Sequence, residues 1–352
     1  MKLLIYLGHP AHYHLFKNSI DYFKKQEHDV FILIKKKDIL ENLLKNDGRE
    51  YFNILPKGRK DNTLSILMGI VKRDFRLFTF CLKHHPDILM GTSAEIGHVG
   101  SILNIPSINF NEDDASVVPK FATISYPWNT LILSPDVCYN GKWEKKSIKY
   151  NSYHELAYLH PDNFKASRDI ADKYVNTSET FFIIRFAELK AHHDKGISGI
   201  TNDLAMDIIE ILQRHGKVYM TSERELPDYF EKFRLSIDPV DIHHVLSFAS
   251  LYIGDSQTMA AESGVLGVPF VRYNDFVGKI GYLEDIENKY KLGFGIKPPN
   301  SNLLLNKIEY LLNLENRNKI FIDRKNNMLK DKIDFTKFIN NFIVTYYNKN
   351  LK

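Results

Sequence analysis

The sequence comprises 352 residues, carries a formal net charge of +4 and contains two widely separated cysteines, Cys81 and Cys138. Its length exceeds one ordinary α/β core and suits two domains of about 100 to 200 residues each. The mild, dispersed charge argues against nucleic acid as a partner, and the cysteine spacing argues against a disulfide framework and a structural zinc site.

In the first half of the chain, short β-branched runs alternate with longer amphipathic segments. The first apolar run is interrupted by Gly8 and His9, which predicts a strand rather than a signal peptide. The alternation predicts a parallel sheet with helices on both faces, within a Rossmann-like domain over residues 1–162. The predicted strands are residues 2–7, 29–34, 87–91, 106–110 and 130–134.

Residues 163–178 are polar and show no strand pattern, so they are the predicted linker. A second series follows and predicts a second Rossmann-like domain over 179–333, with a helix at 334–352 that packs back on the first domain. Its predicted strands are residues 181–186, 217–220, 250–254 and 269–273, and its predicted helices are 200–215, 241–249 and 259–267.

The predicted fold class is therefore α/β, with two doubly wound Rossmann-like domains that face a cleft. Ligands of open α/β sheets bind beyond the carboxyl ends of the strands, so we expect the functional residues there.

One such strand end leads directly into a predicted helix. The unpaired N–H groups of a helix start, together with the helix dipole, favour an anion, which predicts binding of a nucleotide diphosphate. Glu262 comes one turn later and can accept hydrogen bonds from ribose hydroxyls. Ser, Asp and Thr are also ordinary helix caps, which is the alternative explanation of this turn. The predicted donor-binding residues here are Gly254, Asp255, Ser256, Gln257, Thr258 and Glu262.

A histidine-rich loop joins the first predicted strand to the first helix, with His9, His12 and His14 after Gly8. A histidine at this strand end can deprotonate an acceptor hydroxyl, because its pKa lies near neutral pH. His14 can instead simply cap or pack at the start of the helix. Ser93, at another predicted helix start, completes the predicted acceptor side, although a plain cap explains it equally well.

Two further loops carry charge. Glu112 follows a predicted strand and can orient a histidine or bind acceptor hydroxyls, whereas consecutive acids at 112–114 point in different directions and make a metal site improbable. Arg185 ends the first strand of the second domain, and a cationic loop there can neutralise a leaving diphosphate. The cationic loop continues with Lys190, His192, His193 and Asp194, for which the alternative is a solvated charged loop.

Three segments carry a family resemblance: GHPAHYHLFKNSI at 8–20, NEDDASVVPKFATISYP at 111–127 and GDSQTMAAESGVLGVP at 254–269. Together they resemble the domain of unknown function 354 family. That family is similar to two-domain GT-B enzymes, including the lipid II-forming N-acetylglucosaminyltransferase and the non-hydrolysing UDP-N-acetylglucosamine 2-epimerase. The resemblance implies that His12 is the catalytic loop histidine and that Asn274 and Asp275 contact the donor sugar.

The leading prediction is a metal-independent, inverting GT-B glycosyltransferase with no cofactor, in which His12, Glu112 and Arg185 are the catalytic residues. The expected substrates are a nucleotide sugar and a glycan or lipid-linked acceptor, in cell-surface polysaccharide synthesis. We expect a cytoplasmic protein. The amphipathic stretch at 57–85 leaves open a peripheral contact with the inner face of the plasma membrane.

Two other functions remain as alternatives. A nucleotide-sugar 2-epimerase needs acids and bases around C2, but Arg185 and Phe186 stand where that family has a histidine-arginine pair. Its paired glutamates likewise have no counterpart at residues 125–127, which read Ser-Tyr-Pro. The third class is a non-catalytic protein that binds nucleotide sugars.

Overall fold

The computed structural model describes residues 1–35, 39–55, 63–187 and 199–352, and of residues 63–68 only the backbone. The chain divides into two compact units. The first unit comprises Met1–Tyr158 and Ile333–Lys352, and the second comprises Leu159–Lys332.

A parallel seven-stranded sheet forms the centre of the first unit, in the order β3-β2-β1-β4-β5-β6-β7. The chain moves outward from β1 in one direction and then continues from β4 in the other, so its topological switch point lies between β1 and β4. The strands are β1 (Lys2–Leu7), β2 (Asp29–Lys35), β3 (Phe52–Leu55), β4 (Ile88–Gly91), β5 (Ser107–Phe110), β6 (Leu131–Pro135) and β7 (Ser147–Tyr150).

Helices follow these strands and bury their apolar faces against the sheet. The first helix starts after His9, whose side chain accepts the N–H of Ala11, and Pro10 suits the first helical position because its missing N–H would have no partner. The helices are α1 (Pro10–Lys25), α2 (Leu40–Asn46), α3 (Thr63–His84), α4 (Ala94–Leu103) and α5 (Pro119–Ser125).

The second unit contains a parallel five-stranded sheet in the order β12-β11-β10-β8-β9. Its switch point lies between β8 and β10. The strands are β8 (Phe181–Phe186), β9 (Lys217–Ser222), β10 (Leu251–Gly254), β11 (Phe270–Tyr273) and β12 (Gly293–Ile296). The helices are α6 (Arg168–Ala171), α7 (Asn202–Gln213), α8 (Ile242–Leu246), α9 (Gln257–Leu266), α10 (Gly281–Glu284), α11 (Ser301–Leu312) and α12 (Arg317–Asp331).

Helix α9 follows the second switch point and is buried along most of its length. Residues 259–266 are buried, whereas residues 256–258 in its first turn retain partial exposure. The helix ends at Gly267, which has φ +86° and so occupies the left-handed region that glycine adopts without strain. The accessible part of α9 is therefore its N-terminal turn.

The last helix, α13 (Phe335–Asn350), belongs to the first unit, where it packs against α1. Asp334 caps it by accepting the N–H of Lys337, and the ring of Phe335 stacks on Tyr150 at 4.1 Å between centroids. Helices α11 and α12, which precede it, lie in the second unit.

The predicted α/β fold is confirmed, and a strand lies at each of the nine predicted positions. Strands β3, β7 and β12 were not predicted from the sequence. They are four residues long, and the sequence of β12 is Gly-Phe-Gly-Ile, which gives little strand signal.

The structure places the division of the chain differently from the predicted linker. Residues 163–178 lie inside the second unit, which begins at Leu159. They include α6, and Ala171 and Val175 are buried. Polar composition predicted a linker, whereas the segment contributes these two buried apolar side chains to the second unit.

Across the part of the chain that the structure describes, no helix has the length and apolar character needed to cross a bilayer.

Three helices of the first unit meet at His98. Its Nδ1 lies 3.0 Å from Asp74 Oδ2, and its Nε2 lies 3.0 Å from the carbonyl oxygen of Ile124. Both partners can only accept, so both ring nitrogens donate when the imidazole is protonated. The hydrogen bond to Asp74 accordingly raises the pKa of His98.

We expect His98→Gln to destabilise the protein more at pH 6 than at pH 9. The pKa of His98 is higher in the folded protein than in the unfolded protein, where it is about 6.5. Protonated His98 therefore stabilises the folded protein fully below about pH 6.5, and this stabilisation is lost as the pH rises through the folded-state pKa. Thermal unfolding should show a melting temperature about 2 to 4 °C below wild type at pH 6, with a smaller difference at pH 9. Exposed His85→Gln is the control. A difference in melting temperature that does not change with pH would contradict a stabilising role of protonated His98.

Candidate functional site

The candidate donor residues lie at the carboxyl edge of the second sheet, at its switch point. Strand β10 ends at Gly254, opposite Arg185 of β8, and Ser256 caps α9 by accepting the N–H of Met259 at 3.4 Å. Gln257 and Thr258 occupy the first turn, where a helix offers its own N–H groups no acceptor. This edge therefore presents partly exposed N–H donors and a helix dipole that favours an anion.

Position 254 has no room for a side chain, so glycine is required there. A Cβ atom at this position would lie 2.9 Å from the carbonyl oxygen of Arg185 and closer still to the hydroxyl of Tyr252. A side chain here would push β10 away from β8, so glycine allows the close approach of the two central strands.

Asp255 differs from its predicted role as a donor-binding residue. Its side chain is 1% exposed, and its two oxygens accept the backbone N–H groups of Ala187 at 2.6 Å and Ile200 at 3.3 Å. Burial raises the pKa of Asp255 to about 6. Because both oxygens are used inside the unit, Asp255 anchors the chain on either side of residues 188–198.

Asn274 is also a structural residue rather than a surface contact. It is fully buried, donates to the carbonyl oxygen of Asp255 at 3.0 Å and accepts the N–H of Phe276 at 3.0 Å. Buried Arg272 connects it at 3.2 Å to Glu287, which lies 2.8 Å from the guanidinium and whose pKa is raised by burial. These hydrogen bonds give Asn274 a structural role at this edge of the sheet, and its predicted contact with the donor sugar stays a prediction.

Asp275, the next residue, remains partly exposed at the same edge of the sheet. Its predicted contact with the donor sugar stays a prediction.

Glu262 lies one turn into α9 and is 5% exposed. Its Oε1 lies 2.9 Å from Nε2 of His243, which is itself buried. The histidine holds the carboxylate in one direction. Glu262 is therefore an oriented acceptor near the start of the helix. Its contact with His243 was not predicted from the sequence, because no local pattern connects two residues 19 positions apart.

Arg185 carries the predicted positive charge at the end of β8. Its guanidinium lies 2.5 Å from Oε1 of Glu223, a half-exposed acid that follows β9. Its backbone carbonyl accepts the N–H of Asp255. The predicted cationic partners Lys190, His192, His193 and Asp194 lie outside the described residues.

In the first unit, His12 lies at the switch point between β1 and β4. Its Nδ1 accepts the N–H of Gly8 at 3.1 Å, and the hydroxyl of Thr92 lies 2.6 Å from Nε2 and 2.7 Å from Nδ1. Burial lowers the pKa of His12 well below its usual value, and nearby His9 and Lys35 lower it further. His12 is therefore neutral at pH 7.

The hydrogen bond from Gly8 also fixes the tautomer of His12. A backbone N–H can only donate, so Nδ1 is unprotonated and the ring hydrogen lies on Nε2. A general base needs a lone pair directed at its substrate, and here that lone pair is used by Gly8. The predicted role of His12 as the base conflicts with this arrangement, which makes Nε2–H a hydrogen-bond donor.

The other predicted residues of this loop have different environments. His9 is exposed and caps α1. His14 is 9% exposed and packs between the rings of Tyr13 and Tyr158, each 5.3 Å from its own, which makes it a core residue rather than part of an acceptor loop. Ser93 is buried, and its hydroxyl has no hydrogen-bond partner among the described residues.

Glu112 follows β5 and pairs with a histidine that the sequence analysis did not identify. Its Oε2 lies 3.4 Å from Nδ1 of His154 and 3.3 Å from the backbone nitrogen of the same residue. Burial lowers the pKa of His154 to about 3. The predicted ability of Glu112 to orient a histidine thus has a specific partner, which follows β7, a strand that the sequence did not predict.

The model of a family described as a protein of unknown function (DUF354) matches residues 1–280. No curated protein matches the sequence. Among solved structures, the chain is similar to the UDP complex of MnaA from S. aureus, with a TM-score of 0.69, 14% identity and coverage of 100% of this chain and 98% of that one.

Two further structures show the same likeness. The UDP-GlcNAc 2-epimerase of Methanocaldococcus jannaschii has a TM-score of 0.65, 14% identity and coverage of 98% of this chain and 100% of that one. The spinosyn rhamnosyltransferase SpnG in complex with spinosyn aglycone has a TM-score of 0.63, 13% identity and coverage of 97% and 100%. These TM-scores show that the chain shares the GT-B-like fold of these transferase and epimerase structures.

We expect Asp255→Ala to destabilise the protein by about 2 to 4 kcal/mol, because two backbone N–H groups lose their acceptor and each such loss costs about 1 to 3 kcal/mol. Urea unfolding measures the change. Exposed Asp207→Ala, in the same unit, is the matched control. Equal stability of the two variants would show that Asp255 does not anchor the segment.

Proposed function

This chain belongs to the DUF354 family, and we propose that it is a GT-B glycosyltransferase that moves a sugar from a nucleotide sugar to a glycan or lipid-linked acceptor. The observation that carries this proposal is the accessible first turn of α9 at the switch point of the second sheet, with Glu262 oriented one turn later. Rossmann-like sheets bind nucleotides at this position.

The donor binds through two kinds of contact in this proposal. The diphosphate accepts hydrogen bonds from the N–H groups of Gln257 and Thr258 and from the hydroxyl of Ser256, in the field of the helix dipole. The ribose hydroxyls donate to Glu262, which His243 holds in place at 2.9 Å. Asp275, which is partly exposed at the same edge of the sheet, contacts a hydroxyl of the sugar in this proposal.

The leaving diphosphate needs positive charge, and Arg185 supplies it at the end of β8. Its present partner, Glu223, is half-exposed in its side chain, so exchange of one anion for another costs little desolvation. A guanidinium can bind a phosphate through two parallel hydrogen bonds. The proposed reaction therefore needs neither a metal nor a cofactor.

In the first unit, His12 contributes a hydrogen bond rather than a base. Its Nε2 lies 2.6 Å from the Thr92 hydroxyl oxygen, which accepts the ring hydrogen, so the hydroxyl hydrogen of Thr92 is directed away from the ring and can donate to an oxygen of the acceptor. Because the pKa of His12 is strongly lowered, this role should persist without change in charge over the neutral pH range.

We further propose that the protein acts in the cytoplasm, in the synthesis of cell-surface polysaccharide, at the membrane that carries its acceptor. Helix α3 supports this with an apolar stripe at helical spacing: Val71 is 61% exposed, Phe75 is 65% exposed and Leu82 is 49% exposed. Exposed Lys72 and Lys83 on the same helix suit anionic headgroups.

We expect one member of a panel of UDP-, GDP-, CMP- and dTDP-sugars to raise the melting temperature, because a ligand that binds only the folded state stabilises it by about 2.7 kcal/mol at 100 times its Kd. Glu262→Gln should weaken that ligand at least about tenfold by removing the charged acceptor, which corresponds to 1.4 kcal/mol. Exposed Glu309→Gln should bind like wild type. If no panel member shifts the melting temperature, nucleotide-sugar binding is excluded.

Transfer and epimerisation then differ in their products. Incubation of the protein with the bound sugar nucleotide alone yields a new epimer if it is an epimerase and slow release of free nucleotide if it is a transferase. Binding with neither product indicates a non-catalytic protein.

We expect the protein to float with vesicles that contain anionic lipid, and Phe75→Asp to reduce the bound fraction about tenfold. Burial of one large apolar side chain contributes about 1.5 to 3 kcal/mol, which a carboxylate removes. Leu303→Asp changes an exposed apolar residue of the second unit and serves as the control. Equal flotation of both variants would argue against α3 as the membrane contact.

A further inference from the structure

Two histidines lie at the carboxyl edge of the first sheet, and their lone pairs are used differently. His12 gives its Nδ1 lone pair to the N–H of Gly8. His154, in the short 3-10 helix His154–Ala157 after β7, has its Nδ1 3.4 Å from Glu112 Oε2. A carboxylate can only accept, so Glu112 favours the hydrogen on Nδ1 and leaves the lone pair on Nε2.

The Nε2 atom of His154 is buried and has no hydrogen-bond partner among the residues that the structure describes. A buried polar atom without a partner costs about 1 to 3 kcal/mol, so native structures rarely retain one without a reason. A hydroxyl of a bound substrate would satisfy this atom.

The surroundings hold the ring in a fixed orientation. Its plane lies within 11° of the ring of Phe335 and within 18° of the ring of Tyr150, at centroid distances of 5.4 Å and 6.4 Å. His154 is also one of the groups that lower the pKa of His12, so the two histidines share one electrostatic neighbourhood. The side chains of His154 and Glu112 retain 12% and 17% exposure.

We propose that His154 is the general base of the transfer reaction and that Glu112 is its positioning residue. This inference rests on the proposed glycosyltransferase function. The carboxylate near Nδ1 and the stacked rings orient the ring and leave Nε2 as the atom of His154 at which a proton can be accepted.

In the proposed step, one bond to the anomeric carbon forms while another breaks. The acceptor hydroxyl oxygen bonds to the anomeric carbon of the sugar while its proton passes to Nε2. The bond from the anomeric carbon to the diphosphate oxygen breaks, and its electron pair leaves on the diphosphate. The imidazolium that forms is stabilised by the carboxylate of Glu112, and its proton is later released to solvent.

The first arm of the test needs no substrate. Nitrogen NMR of the full chain labelled with 15N-histidine, assigned with His154→Phe and His12→Gln, reports which ring nitrogen carries hydrogen at pH 7. We expect hydrogen on Nδ1 of His154 and on Nε2 of His12. Hydrogen on Nε2 of His154 would overturn the inference.

The second arm measures nucleotide release from the sugar nucleotide that gives the largest thermal shift in the panel. His154→Phe keeps the ring stack and should lower release to water at least about 100-fold, the scale of general-base catalysis. Azide needs no deprotonation, so it should restore turnover in this variant. His28→Ala, at the opposite edge of the sheet, should behave like wild type.

Glu112→Gln separates positioning from a purely structural effect. A glutamine amide can donate to Nδ1 and would shift the hydrogen to Nε2, so kcat should fall while KM changes little, and the NMR tautomer should invert. If wild type turns over but His154→Phe does so equally well, this inference fails and the proposed function stands. If wild type releases no nucleotide from any panel member, the proposed function fails and this inference fails with it.

Discussion

Every strand pair in both sheets is parallel, and this single constraint determines where chemistry can occur. All strands of a parallel sheet end at the same edge, so the loops and helix starts that follow them collect there. In each unit the chain reverses its direction of travel across the sheet once, between β1 and β4 in the first unit and between β8 and β10 in the second. At these points neighbouring loops diverge, and the residues after the strands can reach a ligand.

The second switch point depends on buried polar groups that do not themselves face a ligand. Asp255 uses both carboxylate oxygens on backbone N–H groups, and Asn274 secures the backbone of Asp255 in turn. Behind them, Arg272 and Glu287 form a buried pair. Removal of charges from water is costly, and the pair is retained only because each partner is hydrogen-bonded. These buried hydrogen bonds and this ion pair hold the backbone that leads into α9, whose first turn remains accessible.

The sequence was sufficient for the fold because hydrophobic periodicity reports burial directly. The central strands are continuous apolar runs, and each was predicted within one or two residues of its bounds. Edge strands such as β3 and β12 are short, and β12 contains two glycines, so their pattern is weak. The predicted linker at 163–178 lies inside the second unit, and composition alone does not show that Ala171 and Val175 are buried.

Site residues were harder to predict because function depends on which atoms are already occupied. Position after a strand identified Asp255, Asn274 and Glu262 equally well, but only the structure shows that the first two are used internally. The orientation of Glu262 comes from His243, a contact between elements that no local pattern records.

Hydrogen bonds to the ring nitrogens also distinguish His12 from His154. A neutral imidazole has one hydrogen and one lone pair, so each neighbour that donates or accepts removes one option. Gly8 donates to Nδ1 of His12 and takes its lone pair, whereas the Glu112 carboxylate lies 3.4 Å from Nδ1 of His154 and favours the hydrogen on that nitrogen, which leaves the lone pair on Nε2. Burial keeps both rings neutral, because it lowers the pKa of each. The family resemblance favoured His12, but Gly8 occupies the Nδ1 lone pair of that ring, whereas Nε2 of His154 has no hydrogen-bond partner among the described residues.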